Sequence, residues 1–336
     1  MPENPEDLPK IPQPKPLTER DFLPVEVRVA PYPTPAPPPA PLDEDAGSPR
    51  PSKKLELAEA ISRFVPDGVA SLAIGGMHMH NNPMALIREM VRQKKRIRRL
   101  ITSPAGCINA DLLIGAGLVD EIVTSYVGFE HLGLAPAYRR FSQEGRLRVL
   151  EVDELTLVLA LRAGASNQPF APLPPGLELS DLPRANPEFY QAVTDPFSGR
   201  TVLAAPALRP QVALVYASQA DRFGNALYKG SAFLDRELIM ASQTAVLQVE
   251  QVVSNSQLTA NPLLVTVPSF YVGAVVSAPF SCHPTASHRF YHYDEEHLKE
   301  YLRLAATEQG FAEYLEKYIL NNPTEKDYLG STSIGA

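Results

Sequence analysis

From Leu55 onward the chain alternates short apolar runs with stretches whose apolar residues recur at helical spacing. The runs predict strands over Val69–Ile74, Arg98–Thr102, Glu121–Ser125, Leu147–Val152, Thr201–Ala205, Val212–Tyr216, Ala245–Val249 and Tyr271–Ser277. Helices are predicted over Leu55–Phe64, Pro83–Gln93, Asn109–Ala116, Pro136–Glu144, Glu154–Ala163, Phe233–Ala241, Glu295–Gln309 and Gly310–Ile319. Strands alternating with helices of about ten residues imply βαβ units. Right-handed crossovers then place helices on both faces of one open, mainly parallel sheet. The fold class expected is α/β. The stretch 167–199, rich in proline and polar residues, reads as a structureless cover over that domain.

Residues 1–52 break the pattern. They hold nearly half of the 34 prolines, densest from Pro31 to Pro39, and cannot nucleate a core. They read as a Pro-rich extended arm, either a simple extension or one lying along a partner through Phe22, Leu23, Val25 and Val27. The expected division is an arm over 1–52, a domain over 53–322 and a C-terminal tail over 323–336.

Composition narrows the class. Hydrophobic content of 44% is that of a globular protein, and a net charge of −7 gives no case for nucleic acid as partner. Two isolated cysteines, Cys107 and Cys282, suit neither a disulfide framework nor a zinc site, and read as buried thiols. There is no apolar run long enough to cross a membrane and no secretory layout at the N-terminus, so the cytoplasm is expected. His283, His288, His292 and His297 crowd one region without a metal-ligand spacing, and no metal is expected.

Candidate chemistry gathers after the strands, where open parallel sheets bind ligands. Gly75-Gly76 leads into Met77-His78-Met79-His80-Asn81-Asn82-Pro83, a strand-to-helix turn where backbone can approach a ligand closely. A plain tight turn is the alternative. Asn81 or Asn82 is placed to cap the next helix. The spacing fits neither a dinucleotide fingerprint nor a P-loop. After the second strand, Ser103 and the amides near Gly106 offer donors to a carboxylate or thioester oxygen, while Cys107 reads as core. After the third, Phe129-Glu130 follows Gly128; Glu130 reads as an active-site acid or base or as a solvated loop carboxylate. Asp221 with Gly224-Asn225 reads as a turn, and Glu250 as a turn residue ending its strand. The basic run Lys94 to Arg99 reads as cations at a helix end or as attraction for an anionic ligand.

In order along the chain stand Gly75-Gly76 with Pro83 and Ala85 to Arg88, Pro104-Ala105-Gly106, Asp111 to Gly115, Arg139-Arg140-Phe141, Pro169 to Pro172, Val249-Glu250, and Ala278-Pro279 before His283-Pro284. This series resembles the alpha subunit of family I coenzyme A transferases, of the glutaconate CoA-transferase type. The resemblance covers Leu55 to Ile319. It implies an acyl-CoA substrate and a carboxylate acceptor. It also implies a beta subunit in an alpha2beta2 or higher heteromer, with the active site between the subunits. In that family the thioester is attacked by a glutamate that the beta subunit carries in a Glu-Asn-Gly context. That exchange proceeds through an acyl anhydride and then a glutamyl-CoA thioester. This chain has no Glu-Asn-Gly, its one Glu-Asn pair being Glu3-Asn4, so the nucleophile is expected from the partner.

Substrate contacts are expected from Gly75, Gly76, His78, Asn82, Ser103, Gly106, Phe129 and Glu130, with Glu130 as an auxiliary acid or base. Phe129-Glu130 departs from the small polar residues of the glutaconate type and would repel a second substrate carboxylate. Relatives of the fold also hydrolyse ring-containing CoA thioesters or decarboxylate acyl-CoAs. A non-enzymatic acyl-CoA-binding scaffold is the remaining alternative.

Overall fold

The computed structural model describes residues 48–332 and 334. Its chain order is α1 (Leu57–Phe64), β1 (Leu72–Ile74), α2 (Met84–Arg92), β2 (Ile97–Thr102), α3 (Ile108–Gly115), β3 (Val119–Thr124), α4 (Pro136–Gln143), β4 (Arg148–Glu151) and α5 (Glu154–Ala165). Then come β5 (Val212–Ala220), α6 (Asp235–Ala241), β6 (Thr244–Val252), β7 (Val272–Ser277), α7 (Glu295–Ala305), α8 (Glu308–Leu315) and α9 (Glu325–Gly330). The seven strands form one parallel sheet in the order β7-β6-β5-β1-β2-β3-β4. A short strand, Ala226–Leu227, folds back antiparallel on β5. Most of the expected Pro-rich arm, residues 1–47, lies outside the described residues. Among the described residues, no helix is long and apolar enough to cross a membrane.

The central strands are buried on both sides, so their side chains alternate between two cores rather than between core and water. In β5, Val212 and Leu214 join the core under α1–α3, α7 and α8. Ala213, Val215 and Ala217 join the other, under α5 and α6. Helix starts follow local chemistry. The Asp153 carboxylate accepts from the Thr156 amide at 2.9 Å to open α5, and Asp294 caps α7 through the His297 amide at 3.0 Å. Thr307 does the same for α8, which is why the helical pattern expected to run through Gln309 breaks at Ala305.

Two expectations are corrected. The strand at Thr201–Pro206 is not in the main sheet; it is the centre of a small antiparallel sheet flanked by Phe170–Pro172 and Gln191–Thr194. The cover expected over 167–199 therefore has its own ladder, which satisfies backbone groups that a structureless strap would leave unpaired. Phe189 and Tyr190 pin it to the core.

The C-terminal segment is not a tail either. Thr324 and Asp327 form a capping box that starts α9. Both carboxylate oxygens of its Glu325 accept from Arg88 Nε, at 3.1 Å each, and Oε1 accepts further bonds from Arg92. Arg88 is only 2% exposed, donates to the His283 carbonyl at 2.7 Å, and lies 3.7 Å over the Tyr328 ring. Burial works against its charge, and Glu325 outweighs that and raises its pKa. Removing one partner of such a pair leaves the other charge buried and uncompensated, at a cost of about 3–5 kcal/mol. We therefore expect Arg88→Met to lower unfolding stability by about that amount, and the double change with Glu325→Met to recover most of it. Denaturant titration reads both; a single variant as stable as the parent would show that α9 does not depend on the pair.

Candidate functional site

The strand order reverses direction between β1 and β5: β2 to β4 extend one way from β1, and β6 and β7 the other way from β5. Ligand crevices in open α/β sheets lie beyond the carboxyl ends of strands at such a point. Gly75 leaves β1 there, its amide donating to the Leu214 carbonyl of β5 at 2.9 Å. The Gly76 amide donates to Asp235 Oδ1 at 2.9 Å, and the Tyr228 hydroxyl donates to Oδ2 at 3.1 Å. The glycine pair is required by this approach. A Cβ on Gly75 would lie 2.5 Å from Asp235 Oδ1, and one on Gly76 (φ +87°) 2.4 Å from Asn82 Oδ1.

Several expected substrate contacts thus turn inward. The Gly75 and Gly76 amides are consumed by Leu214 and Asp235, so they are not free to orient a thioester carbonyl. Ser103 is 1% exposed and its hydroxyl donates to the Gly76 carbonyl. Gly106 is buried, its carbonyl accepting from the Gly128 amide at 3.0 Å. Asn82 does not cap α2; its amide nitrogen donates to the His78 carbonyl at 2.7 Å. Asn81 does not cap it either: its side chain donates to the Ser231 carbonyl and accepts from the His288 amide. Phe129 is wholly buried, stacked on Tyr301 with centroids 5.7 Å apart, so its bulk faces the core and not a ligand.

What remains at the crevice is His78 with Glu130. Both adopt left-handed backbone, φ 49° and 51°, a conformation that non-glycine residues hold only where the surroundings over-determine it. Their side chains are 29% and 39% exposed, with His78 Nδ1 3.6 Å from Glu130 Oε1. That distance is too long for a hydrogen bond but within ion-pair reach when the imidazole is protonated. His78 is held by its amide on the Ala105 carbonyl, by Asn82, and by the Tyr126 ring at 5.7 Å.

His80 adjoins this pair, with His288 at 5.2 Å and Tyr293 at 6.4 Å between ring centroids. Burial lowers the His80 pKa, with Glu130 opposing, and burial likewise lowers that of His288. The Nδ1 atoms of His78 and His80 and Oδ1 of Asn82 are buried with no hydrogen-bond partner. Sequence reasoning named His78 and Glu130 but not His80, Tyr126, Tyr293 or Asp235. The repeat Met77-His78-Met79-His80 was the one available signal for His80.

Other candidates find structural work. Glu250 is not a turn residue; it lies within β6, 5% exposed, accepting from the Tyr291 hydroxyl at 2.6 Å and the Phe280 amide at 2.7 Å. Burial raises its pKa to about 7. Burial raises Asp235 to about 7 and Asp111 to about 6. Cys107 and Cys282 are buried free thiols whose pKa values burial pushes up.

Asp221 builds the expected turn, accepting from the Phe223 and Asn225 amides at 2.9 Å. The basic run lies at the amino end of β2, away from the crevice, where Arg96 and Arg99 pair with Asp120 and Glu121. His283, Asp294 and His297 converge, but the His283 nitrogens engage Tyr328 and Asp294, and His297 Nε2 engages Tyr314. The Arg88 charge nearby further disfavours a cation there.

An open, wholly parallel seven-stranded sheet with a polar pair at its switch point defines an α/β protein that takes its ligand across the carboxyl edge. The chain belongs to the coenzyme A transferase family, whose model matches residues 54–278, and is of the alpha-subunit type. That span takes in every strand of the main sheet. An uncharacterized protein from Archaeoglobus fulgidus is 33% identical over 269 residues, which is 80% of this chain but 59% of that relative. A 3-oxoadipate CoA-transferase subunit from Pseudomonas knackmussii is 32% identical over 268 residues, 79% of this chain and 93% of the relative. The structure of glutaconate coenzyme A-transferase from Acidaminococcus fermentans shares the fold, with a TM-score of 0.79, 24% identity, and coverage of 84% of this chain and 94% of that one.

The Asp235 carboxyl gives a pH test of the loop's anchor. Its folded pKa, raised from 3.8 to about 7, means the native state holds the proton more tightly than the unfolded chain. Its contribution is therefore full below about pH 4 and is lost as pH rises through about 7. Asp235→Asn keeps an acceptor for Gly76 and removes the titration. We expect its stability relative to the parent to rise between about pH 5 and pH 8, read by unfolding midpoints; parallel profiles would refute the assignment.

Proposed function

We propose that this chain is the non-nucleophilic half of an acyl-CoA:carboxylate CoA-transferase, completed by a beta-type subunit in a cytoplasmic heteromer. The observation that carries this reading is the His78–Glu130 pair, half-exposed at the switch point of a CoA-transferase alpha-type chain that has no Glu-Asn-Gly of its own. In the proposed reaction the partner's glutamate attacks the thioester carbonyl. The acyl group passes to it as an anhydride, and the departing CoA thiolate then attacks the glutamyl carbonyl, releasing the first carboxylate. The acceptor acid reverses both steps and leaves as the new acyl-CoA. This chain contributes the facing wall. Glu130 and His78 orient the acyl group and exchange protons with it, and His80 closes the same wall.

The half-exposed Glu130–His78 pair also favours a second reading, hydrolysis, because a carboxylate beside a histidine can position and deprotonate water. Transfer needs an acceptor acid and hydrolysis does not. Product analysis of the purified heteromer, with and without added carboxylate, separates them.

In either reaction we expect Glu130→Ala to lower kcat/KM on the order of 10²-fold while the heteromer still assembles, since this is the lower range for a positioned acid or base. Steady-state kinetics over several acyl-CoAs, with gel filtration as the assembly control, checks it. Unchanged kinetics for every acyl group would remove Glu130 from the site.

A further inference from the structure

Arg139-Arg140-Phe141, on α4, has no part in the crevice chemistry above. Phe141 is core, 4% exposed, with the Arg146 guanidinium 3.9 Å over its ring. The two arginines line a cavity of about 510 Å³ that runs along α4 from Leu134 past Gln143 to Glu144. Arg140 is fixed there by one donation, from Nη1 to the Ala305 carbonyl at 2.8 Å, while its Nε is buried without a hydrogen-bond partner. The Arg139 side chain makes no hydrogen bond or ion pair among the described residues. The cavity's one acid, Glu144, is paired with Arg146 at 2.9 Å, as is Glu308 nearby. Arg140 also acts at a distance on Asp111 and on Glu308, but neither is its hydrogen-bonded partner. Leu134, 60% exposed, gives the cavity an apolar lip four residues beyond Glu130.

An apolar lip, two guanidinium groups and a neutralised carboxylate make a cavity of net positive charge with unspent planar donors. Arginine's fork matches phosphate oxygens in pairs, whereas a water would leave most of its donors unused. We propose that this cavity is a binding site for a phosphorylated anion, with Arg139 and Arg140 as its cationic residues. Two sources present that chemistry: the phosphate-bearing end of coenzyme A and a free nucleotide.

The test is calorimetric titration of the purified heteromer with pyrophosphate, ADP and coenzyme A at low ionic strength. Arg139→Gln changes an exposed side chain without fold contacts, and Arg140→Lys keeps the charge while removing the fork. Pyrophosphate should bind the parent and weaken about tenfold in each variant, the loss expected for one charge-assisted contact. Added salt should weaken the parent further. Parallel loss for coenzyme A identifies its phosphates as occupant; loss for ADP and pyrophosphate but not coenzyme A identifies a free nucleotide. No pyrophosphate binding to the parent, or equal binding in parent and variants, overturns the proposal. Glu130→Ala should leave pyrophosphate affinity unchanged, so the crevice reading fails or stands independently of this site.

Discussion

Asp235 is the contact on which the crevice depends. It sits at the head of α6, on the far side of the switch point from β1, and accepts the amide of Gly76 across that boundary. With the Gly75 amide already spent on β5, the loop has no freedom to rise from the sheet. Asn109 and Ser103 then take the carbonyls of Gly75 and Gly76, so both peptide units are held on each side. A buried amide without a partner costs about as much as a lost hydrogen bond, so this lattice is all or nothing. The strained backbone at His78 and Asn81, φ 49° and 54°, is tolerated because the residues before it cannot move.

The same logic explains which parts of the fold were legible in the sequence. The seven strands of the main sheet and the helices between them follow from apolar runs that are buried on two faces. The crevice was legible from the position of Gly75-Gly76 after β1. Its interior was not, because sequence spacing shows which residues carry donors but not which carbonyl or carboxylate consumes them. Asp235 lies far from Gly76 in sequence, and nothing local marks it as that amide's acceptor. Phe129 and Glu130 are neighbours in sequence, yet one packs on Tyr301 and the other faces water, since a left-handed residue at 130 turns the chain between them.

The C-terminal helix shows a different limit. Residues 324–332 are mostly polar and follow Pro323, which reads as an ending. Their attachment is a charge, not an apolar stripe: Glu325 finds Arg88 and Arg92, and Tyr328 lies beneath the Arg88 guanidinium. A buried cation demands its counter-ion whatever the surrounding composition. Arg88 in the otherwise apolar face of the helix Met84–Arg92 was therefore the signal, but a helix pattern alone does not say where the acid comes from.

Charge also bears on what the crevice selects. Burial raises Asp111, Asp235 and Glu250 towards neutrality, so the carboxyls inside the fold project little negative field at its edge near pH 7. Burial likewise lowers His80 and His288, which leaves those imidazoles as dipoles rather than cations. Glu130, more exposed than any of these acids, then sets the local field. An acyl group bearing a second carboxylate would meet that field without a compensating cation from His80 or His288. A carbonyl or hydroxyl on the acyl chain would instead meet imidazole nitrogens with unspent hydrogen-bonding capacity. Discrimination of this kind comes from the cost of an unmatched charge rather than from close fit, and it needs only the small set of groups that the switch point brings together.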